Sequence, residues 1–356
     1  MIKLKINWLY LLPLSFFFTA CGEETASNSN KNEATSEVEK IVPILKTAPV
    51  AHDSDDPAIW VNYDEPEASL ILGTDKEVGG GLMVFNLKGD LLDSLSVTGL
   101  FYPNNVDVQQ GVRLSDSLTM DIAVVTEREK NRIRIFSLPD MKAIDQGGIP
   151  VFVKDSLPYR RPMGVSLYKD QKGNCSAIVS RKEGPTKDYL EQWALNFDST
   201  QQIQATLLRS FGEFSGGEGE IEAILVDDEY GFVYYSDEAY GVRKYHADPE
   251  KGNTEILTFG KEGFAEDREG IALWPLSDTS GWIIVSNQQD LSFNVYNRNE
   301  PHEMITNWKL STVETDGCDL YQGYLNSTFP EGVFVAMSED STFHFYDLKQ
   351  LNTKPQ

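Results

Sequence analysis

The 356-residue sequence has little cysteine, little histidine and no excess of positive charge. Three cysteines and four histidines leave little room for zinc centres, which are built from clusters of these residues. Lysine and arginine number 31 against 55 aspartates and glutamates, a formal net charge of −24. This argues against nucleic acid as a partner, and against an anionic membrane bound by charge alone, because both require cationic surfaces. A metal in this protein would need oxygen ligands, which favours calcium or magnesium.

An apolar run over residues 8–18 follows two lysines and is too short for a comfortable membrane span. It ends at Phe18-Thr19-Ala20-Cys21, which resembles a bacterial lipobox, the motif whose cysteine is lipidated. We therefore expect residues 1–20 to be a lipoprotein signal peptide and Cys21 to carry the lipid, with a simple secretory signal as the alternative. Residues 21–41 are polar and are predicted to be a disordered tether. The protein is then exported and contacts the outer membrane only through its anchor, on the periplasmic or the cell-surface face.

Beyond residue 41, three features recur at spacings of 47 to 59 residues. An aromatic residue lies near the end of a strand at Phe85, Phe136, Trp193, Tyr245, Tyr296 and Tyr346. A hydroxyl closes an apolar strand at Thr74, Thr126, Ser180, Ser236, Ser286 and Ser338. An earlier strand begins near Asp55, Asn104, Arg161, Glu220, Arg268 and Thr315. Six such copies predict an all-β fold, a six-bladed β-propeller over residues 42–352. A pair of β-sandwiches is the alternative, but that fold gives no reason for a repeat of about fifty residues.

The sixth copy ends at Leu351 without the fourth strand that most other copies show. The apolar segment 40–47 can supply it, so we expect the ring to be closed by an N-terminal strand. The repeats put Cys175 and Cys318 on distant blades, which favours two buried free thiols over a disulfide. The spacing from Cys175 to Arg181 matches cysteine phosphatases, but the residues between them are predicted to form a strand.

Equivalent loops of a propeller lie on the same face, so the repeats predict which side chains meet. The second residue after the hydroxyl is Lys76, Arg128 or Lys182 in the first three copies, and an acid, Glu238 or Asp340, in the fourth and sixth. Further acids precede the first strands. We therefore predict a mouth with a basic sector opposite an acidic sector. Clustered carboxylates suit calcium, and grouped cations suit phosphate, so together they predict a site for a polyanion.

Four motifs resemble those of the β-propeller phytases, calcium-dependent phosphatases that act on inositol hexakisphosphate. They are DDPAIW (residues 55–60), NNVDV (104–108), KEG (182–184) and DDEYG (227–231). The resemblance covers roughly residues 45–350. It implies several calcium ions, bound or bridged by Asp55, Asp56, Asn105, Glu222, Glu238, Asp267, Glu269 and Asp316. It also implies phosphate subsites and catalytic groups at Lys76, Arg128, Lys182, Glu183 and Glu238. Glu77 and Met163 depart from the family, which has a lysine and a tyrosine at these positions.

The function implied is that of a 3-phytase, a phosphoric monoester hydrolase that releases inorganic phosphate from phytate or calcium phytate through attack by metal-activated water. We expect the protein to act as a monomer on this small-molecule substrate. Two alternatives remain open. One is a calcium-dependent lactonase on the same architecture, which would not explain Lys76, Arg128 and Lys182. The other is a propeller that binds its ligand without turnover.

Overall fold

The computed structural model describes residues 39–217 and 219–352. Their strands form six four-stranded antiparallel sheets, the blades of a six-bladed β-propeller, which confirms the predicted fold. The predicted signal peptide, Cys21 and nearly all of the predicted tether lie outside the described residues. No helix in the described part of the chain is long and apolar enough to cross a membrane.

The N-terminal strand β1 spans Leu45–Lys46, and the blades follow in chain order, each from its inner to its outer strand. Blade 1 consists of β2 (Ser54–Trp60), β3 (Leu70–Asp75), β4 (Gly81–Asn86) and β5 (Val97–Thr98). Blade 2 consists of β6 (Pro103–Ser115), β7 (Leu118–Glu127), β8 (Arg132–Leu138) and β9 (Ile149–Pro150). Blade 3 consists of β10 (Pro162–Lys169), β11 (Cys175–Arg181), β12 (Lys187–Phe197) and β13 (Ile203–Glu213). Blade 4 consists of β14 (Ile224–Asp227), β15 (Phe232–Asp237), β16 (Gly241–His246) and β17 (Leu257–Phe259). Blade 5 consists of β18 (Arg268–Ser277), β19 (Ser280–Asn287), β20 (Ser292–Asn297) and β21 (Met304–Lys309), and blade 6 begins with β22 (Cys318–Gln322), β23 (Gly332–Ser338) and β24 (Thr342–Asp347).

The N-terminal strand closes the ring, as predicted. β1 is the outer strand of blade 6, where Leu45 lies opposite Phe345 of β24 in an antiparallel pair. Upstream, Ile41 forms a parallel bridge to Leu310 after β21, so the same segment also contacts blade 5. Among the residues that the structure describes, helical structure is confined to one α-helical turn, Leu348–Leu351, and to five 3-10 turns at Pro66–Ala68, Arg128–Lys130, Leu157–Arg160, Pro249–Lys251 and Gln288–Asp290.

The hydrophobic core is divided among the six interfaces between adjacent blades, each filled by one apolar cluster. The recurring aromatic of each blade is buried in the interface with the preceding blade. This packing explains why an aromatic recurs about every fifty residues. Cys175 lies between blades 2 and 3 and Cys318 between blades 5 and 6, and both are buried and free, as predicted. Burial raises the pKa of both thiols well above the usual range.

The recurring hydroxyl links each of four blades to the next one. It donates a hydrogen bond to a backbone carbonyl at the start of the following inner strand, in the pairs Thr126–Met163 (2.7 Å), Ser180–Ile221 (2.5 Å), Ser236–Glu269 (3.1 Å) and Ser286–Thr315 (2.8 Å). Between blades 6 and 1 the direction differs, since Ser54 Oγ donates to the carbonyl of Ser338 at 3.0 Å. These bonds fix the inner strands relative to one another where they reach the mouth.

Candidate active site

The inner strands of blades 1, 2, 3 and 5 each contain a β-bulge opposite the recurring hydroxyl. In blade 1, Asp55 and Asp56 both lie between the pairs Ser54–Asp75 and Pro57–Gly73, so two residues oppose Thr74 alone. The two residues of the bulge are Asn104 and Asn105 in blade 2, Met163 and Gly164 in blade 3, and Glu269 and Gly270 in blade 5. A bulge interrupts the alternation of a strand and redirects its side chains. The DDP and NNV motifs therefore mark the bulges that bring consecutive polar side chains to the inner surface.

One backbone hydrogen bond identifies the equivalent mouth residue of every blade. Its N–H donates to a carbonyl just before the inner strand, in the pairs Lys76–Asp53 (2.7 Å), Arg128–Tyr102 (3.1 Å), Lys182–Arg161 (2.8 Å), Glu238–Glu220 (3.2 Å), Gln288–Asp267 (3.4 Å) and Glu339–Val313 (3.0 Å). Blades 1 to 3 thus present cations, and blades 4 to 6 present acids or an amide. In blade 6 the residue is Glu339 and not Asp340, whose carboxylate instead pairs with Lys46 of β1 at 2.7 Å.

The acidic sector brings together carboxylates from blades that are far apart in the sequence. Lys76 forms an ion pair with Asp55, and its Nζ lies 3.3 Å from Asp316 Oδ2. Asn104 Nδ2 donates to Glu222 Oε1 at 3.0 Å and lies 3.4 Å from Asp55 Oδ2. Three further oxygens converge in blade 4, where one carboxylate oxygen each of Glu220, Glu222 and Glu238 lies within 4.8 Å of the others.

Burial and crowding together disfavour the charged forms of four acids of this sector. Burial, with repulsion from Glu222, raises the pKa of Glu238 to about 9. The pKa of Glu269 lies well above its usual range for the same reasons, and burial raises that of Asp316 to about 6. Burial also raises the pKa of Asp55 well above its ordinary value although Lys76 opposes the shift. An additional cation would relieve this repulsion and allow the carboxylates to ionise.

The donor set fits calcium. Among the described residues, Glu269 Oε2, Asn104 Oδ1 and Asn105 Oδ1 are buried oxygens without a hydrogen-bond partner. Buried oxygens usually have partners, so these three are available as ligands. The surrounding groups are carboxylates and amides, the oxygen donors that calcium prefers. Asp267, predicted as a metal residue, lies at the rim, where its Oδ2 accepts a hydrogen bond from Gln289 at 2.8 Å.

Two of the predicted metal residues, Asp56 and Asn105, line a separate space. It is a cavity of about 240 Å³ lined by residues of the inner strands of all six blades. Asp56 accepts the backbone N–H of Val106 at 3.0 Å, and burial raises its pKa well above its usual range. Asp107 and Asp319, which were not among the predicted ligands, also line this cavity, and burial raises their pKa values to about 6 and about 7.

The basic sector is also held by specific contacts. Lys182 forms an ion pair with Glu220, and the guanidinium of Arg128 stacks 3.6 Å from the centre of the Tyr102 ring. Glu183, predicted as catalytic, forms its ion pair with Arg161.

Four residues of the site were missed by the predicted list: Asn104, Glu220, Tyr102 and Arg161. Asn104 belongs to the NNVDV motif, and the backbone carbonyls of the other three accept the hydrogen bond that identifies the mouth residue. That position can be recognised in the repeat and was expected at the mouth from the acids that precede the first strands, but only the structure shows which side chains pair there.

Comparison with known proteins shows the fold and the family of this chain. A solved structure of luciferin-regenerating enzyme covers 86% of this chain and 96% of its own with a TM-score of 0.51, at 10% identity, so the likeness is one of fold. The 3-phytase of Bacillus subtilis (strain 168) is 29% identical over 321 residues, which cover 85% of this chain and 79% of that relative. The family model described as Phytase matches residues 12–350. The chain therefore belongs to the phytase family of phosphoric monoester hydrolases.

Proposed function

We propose that this phytase hydrolyses phytate or calcium phytate with the help of several calcium ions held by the carboxylates of the mouth. One observation carries the proposal: buried acids with raised pKa values share the mouth with the three cations of blades 1 to 3, and two of them, Asp55 and Asp316, lie directly beside Lys76. A polyanionic substrate requires the cations, and the acids would repel it unless metal ions neutralised them. The similarity to the 3-phytase of Bacillus subtilis supports the same substrate.

The chain's own groups have separable tasks in this proposal. Asp55, Glu222, Glu238, Glu269 and Asp316 would hold the calcium ions of the mouth, and Asp267, Asp56 and Asn105 are further candidate ligands. When bound, calcium lowers the pKa of a coordinated water and stabilises charge on phosphoryl oxygens. Lys182 and Arg128 bind phosphoryl oxygens through charge-assisted hydrogen bonds. Lys76 keeps its charge because Asp55, Glu222 and Asp316 hold its pKa above the ordinary value, although burial alone would lower it.

The test is phosphate release from phytate as calcium is titrated from zero. We expect no release in EDTA and recovery on addition of calcium, and full activity in EDTA would contradict the proposal. Calorimetry gives an independent readout, since Glu222→Gln should weaken calcium binding. The matched control is Asp340→Asn, whose carboxylate lies outside the mouth and pairs with Lys46. A panel of lactones tests the lactonase alternative, which predicts that the enzyme hydrolyses lactones and does not hydrolyse phosphate esters.

We also propose that the enzyme is an exported monomer anchored to the outer membrane by lipid on Cys21. The motif at residues 18–21 and the polar residues after it support this proposal. Cys21→Ser should move the protein from the membrane fraction to the soluble fraction and abolish labelling by a fatty-acid analogue. Unchanged fractionation and labelling would contradict it. Light scattering coupled to size exclusion tests the monomeric state.

A further inference from the structure

Arg128 is held at the mouth by an aromatic ring and not by hydrogen bonds. Its side chain is only 12% exposed, and its guanidinium carbon lies 3.6 Å from the centre of the Tyr102 ring. Among the described residues, the one side-chain hydrogen-bond partner is the sulfur of Met163, 3.9 Å from Nη1, and Nε is buried without a partner. Glu129 Oε1 lies 3.5 Å from Nε, which is too long for a good hydrogen bond. The stack therefore takes the place that hydrogen bonds normally have in fixing a buried arginine.

Other arginines that lie over aromatic rings are fixed differently. In the described part of the chain there are six of them, and each donates at least two hydrogen bonds to protein oxygens: Arg134, Arg181, Arg209, Arg243, Arg268 and Arg298. Arg298, for example, lies 3.8 Å from the centre of the Tyr230 ring. Its guanidinium also donates to Asp227 at 2.7 Å and to Glu229 at 2.7 Å. Arg128 differs because its plane is fixed while its N–H donors are left without oxygen acceptors.

The backbone at Tyr102 places this ring. Tyr102 has a φ of 62°, in the left-handed region that residues other than glycine rarely adopt. Its N–H donates to the carbonyl of Glu77 at 3.2 Å, and its carbonyl accepts the N–H of Arg128 at 3.1 Å. A residue in such a conformation persists only where its surroundings fix it. Tyr102 and Arg128 are therefore joined twice, through the backbone and through the stack.

The neighbouring residues form a second stack of the same kind. Lys130 Nζ lies 3.6 Å from the centre of the Phe101 ring, one residue before Tyr102. Lys130 is not the mouth residue of blade 2, because Arg128 holds that position. The two stacks thus have similar distances, but only the one on Tyr102 holds a cation of the mouth. This makes Phe101 a matched control for Tyr102.

Stacking has a consequence for the chemistry of the guanidinium. An aromatic ring contacts the face of the guanidinium plane, whereas the N–H groups point outward within that plane. Phosphoryl oxygens bind to these N–H groups through charge-assisted hydrogen bonds. A ring can therefore orient the arginine without competing with a phosphate for its donors, which a carboxylate could not do.

We propose that Tyr102 is a positioning residue for phosphate hydrolysis: its ring fixes the plane of Arg128 and keeps the N–H groups of that arginine free for phosphoryl oxygens. The inference rests on the proposed function, in which Arg128 binds those oxygens. The contact is made by the ring, so another aromatic residue should replace Tyr102 and an aliphatic one should not.

A double-mutant cycle with phytate as substrate tests this role. Tyr102→Leu should lower kcat/KM about 10-fold, because the stack is lost and Arg128 is free to turn away. Tyr102→Phe keeps the ring and should stay within about 2-fold of wild type. In an Arg128→Ala background, Tyr102→Leu should have no further effect, because Tyr102 acts only through Arg128. Equal losses in the two backgrounds, or no loss in Tyr102→Leu, would overturn the inference.

Phe101→Leu controls for general damage to this part of the mouth face. It removes the neighbouring stack and should leave kcat/KM close to that of wild type. A loss as large as that of Tyr102→Leu would show that both rings act through packing and would contradict a specific role for Tyr102.

The orientation of Arg128 can be measured by NMR without any substrate, in protein made with isotope-labelled arginine. The Nε–H signal of Arg128, identified by its loss in Arg128→Lys, should shift and broaden in Tyr102→Leu but not in Tyr102→Phe or Phe101→Leu. An unchanged signal in Tyr102→Leu would refute the positioning role even if phytate were hydrolysed. If the wild-type protein released no phosphate from phytate, the proposed function would fail. The changed signal would still show that Tyr102 holds Arg128.

Discussion

The two halves of the mouth are built on the same backbone pattern but carry opposite charge. They also differ in whether their charged side chains lie beside groups of opposite or of like charge. In blades 1 to 3 the equivalent loop residues are Lys76, Arg128 and Lys182, and each is paired with, or lies within 4 Å of, a carboxylate. In blades 4 to 6 the acids crowd one another, and Glu238 and Glu269 have strongly raised pKa values. Each cation of the basic half thus has a carboxylate beside it in the protein alone, whereas the acidic half requires a further cation.

The difference shows how one repeat can produce two chemistries. The bulges and the hydroxyl bonds recur in four blades each and the backbone bond at the mouth recurs in all six, so the scaffold places equivalent residues at the same point of each blade. Substitution at the same position in different copies then divides the ring into a basic half and an acidic half. Lys76 joins them, because it belongs to the basic half but contacts Asp55 and Asp316.

The largest expected effect comes from removing a cation of the basic half. Lys182→Ala should lower kcat/KM for phytate at least ~100-fold, because a preorganised charge that stabilises the phosphoryl group in the transition state is lost. Calcium binding measured by calorimetry should stay close to that of wild type. The control is Lys187→Ala on the exposed start of β12. A large loss of calcium affinity would show that the two halves are not separable.

The residue that joins the halves should affect stability more than any other mouth cation. Lys76→Met leaves the buried carboxylates of Asp55 and Asp316 without their partner and should lower the free energy of unfolding by ~3 kcal/mol in the absence of calcium. Urea unfolding at pH 8 measures the change, with Lys88→Met on an exposed loop as control. Added calcium should restore much of the loss, and no recovery would argue against metal binding beside Asp55.

The acidic half should make stability depend on pH in a defined direction. Folding raises the pKa of Glu238 from 4.5 to about 9 and that of Asp316 from 3.8 to about 6, so the folded state binds more protons than the unfolded state between these values. The calcium-free protein should therefore lose stability as pH rises from about 4.5 to about 9. Calcium should raise the melting temperature more at pH 8 than at pH 5, and an equal rise at both would refute this account.

The smallest expected effect comes from removing one of the hydroxyls that link neighbouring blades, and its consequence for calcium binding should differ between the two halves. Ser180→Ala and Ser236→Ala each remove one buried hydrogen bond between blades and should each cost about 1 kcal/mol of unfolding free energy. Only Ser236 contacts the backbone of a predicted metal residue, Glu269, at 3.1 Å. Calorimetry should therefore show weaker calcium binding for Ser236→Ala alone. Equal calcium affinity in both variants would show that the bond does not position Glu269.

The prediction from sequence succeeded where the signal was periodic. Aromatics and hydroxyls at equal spacing indicated six blades, and the missing fourth strand of the last copy indicated closure by the N-terminal segment. It was less successful where a single residue broke the period. The mouth position of blade 6 is Glu339, although counting from the hydroxyl of Ser338 indicated Asp340. The hydroxyl falls one residue later in that blade, a shift that only the backbone hydrogen bonds reveal.

The sequence by itself determined the number of blades from features repeated in every copy, the way the ring closes from the strand that the last copy lacks, and the opposite charge of the two sectors from the residue that each copy carries at one repeat position. Tertiary structure alone decided which of the mouth side chains pair with one another. Asn104 contacts both Asp55 and Glu222, and Arg161 approaches Glu129 beside Arg128. These contacts join different blades, and no local pattern encodes them. They arise because closing the ring brings six inner strands to one axis, where residues more than a hundred positions apart become neighbours.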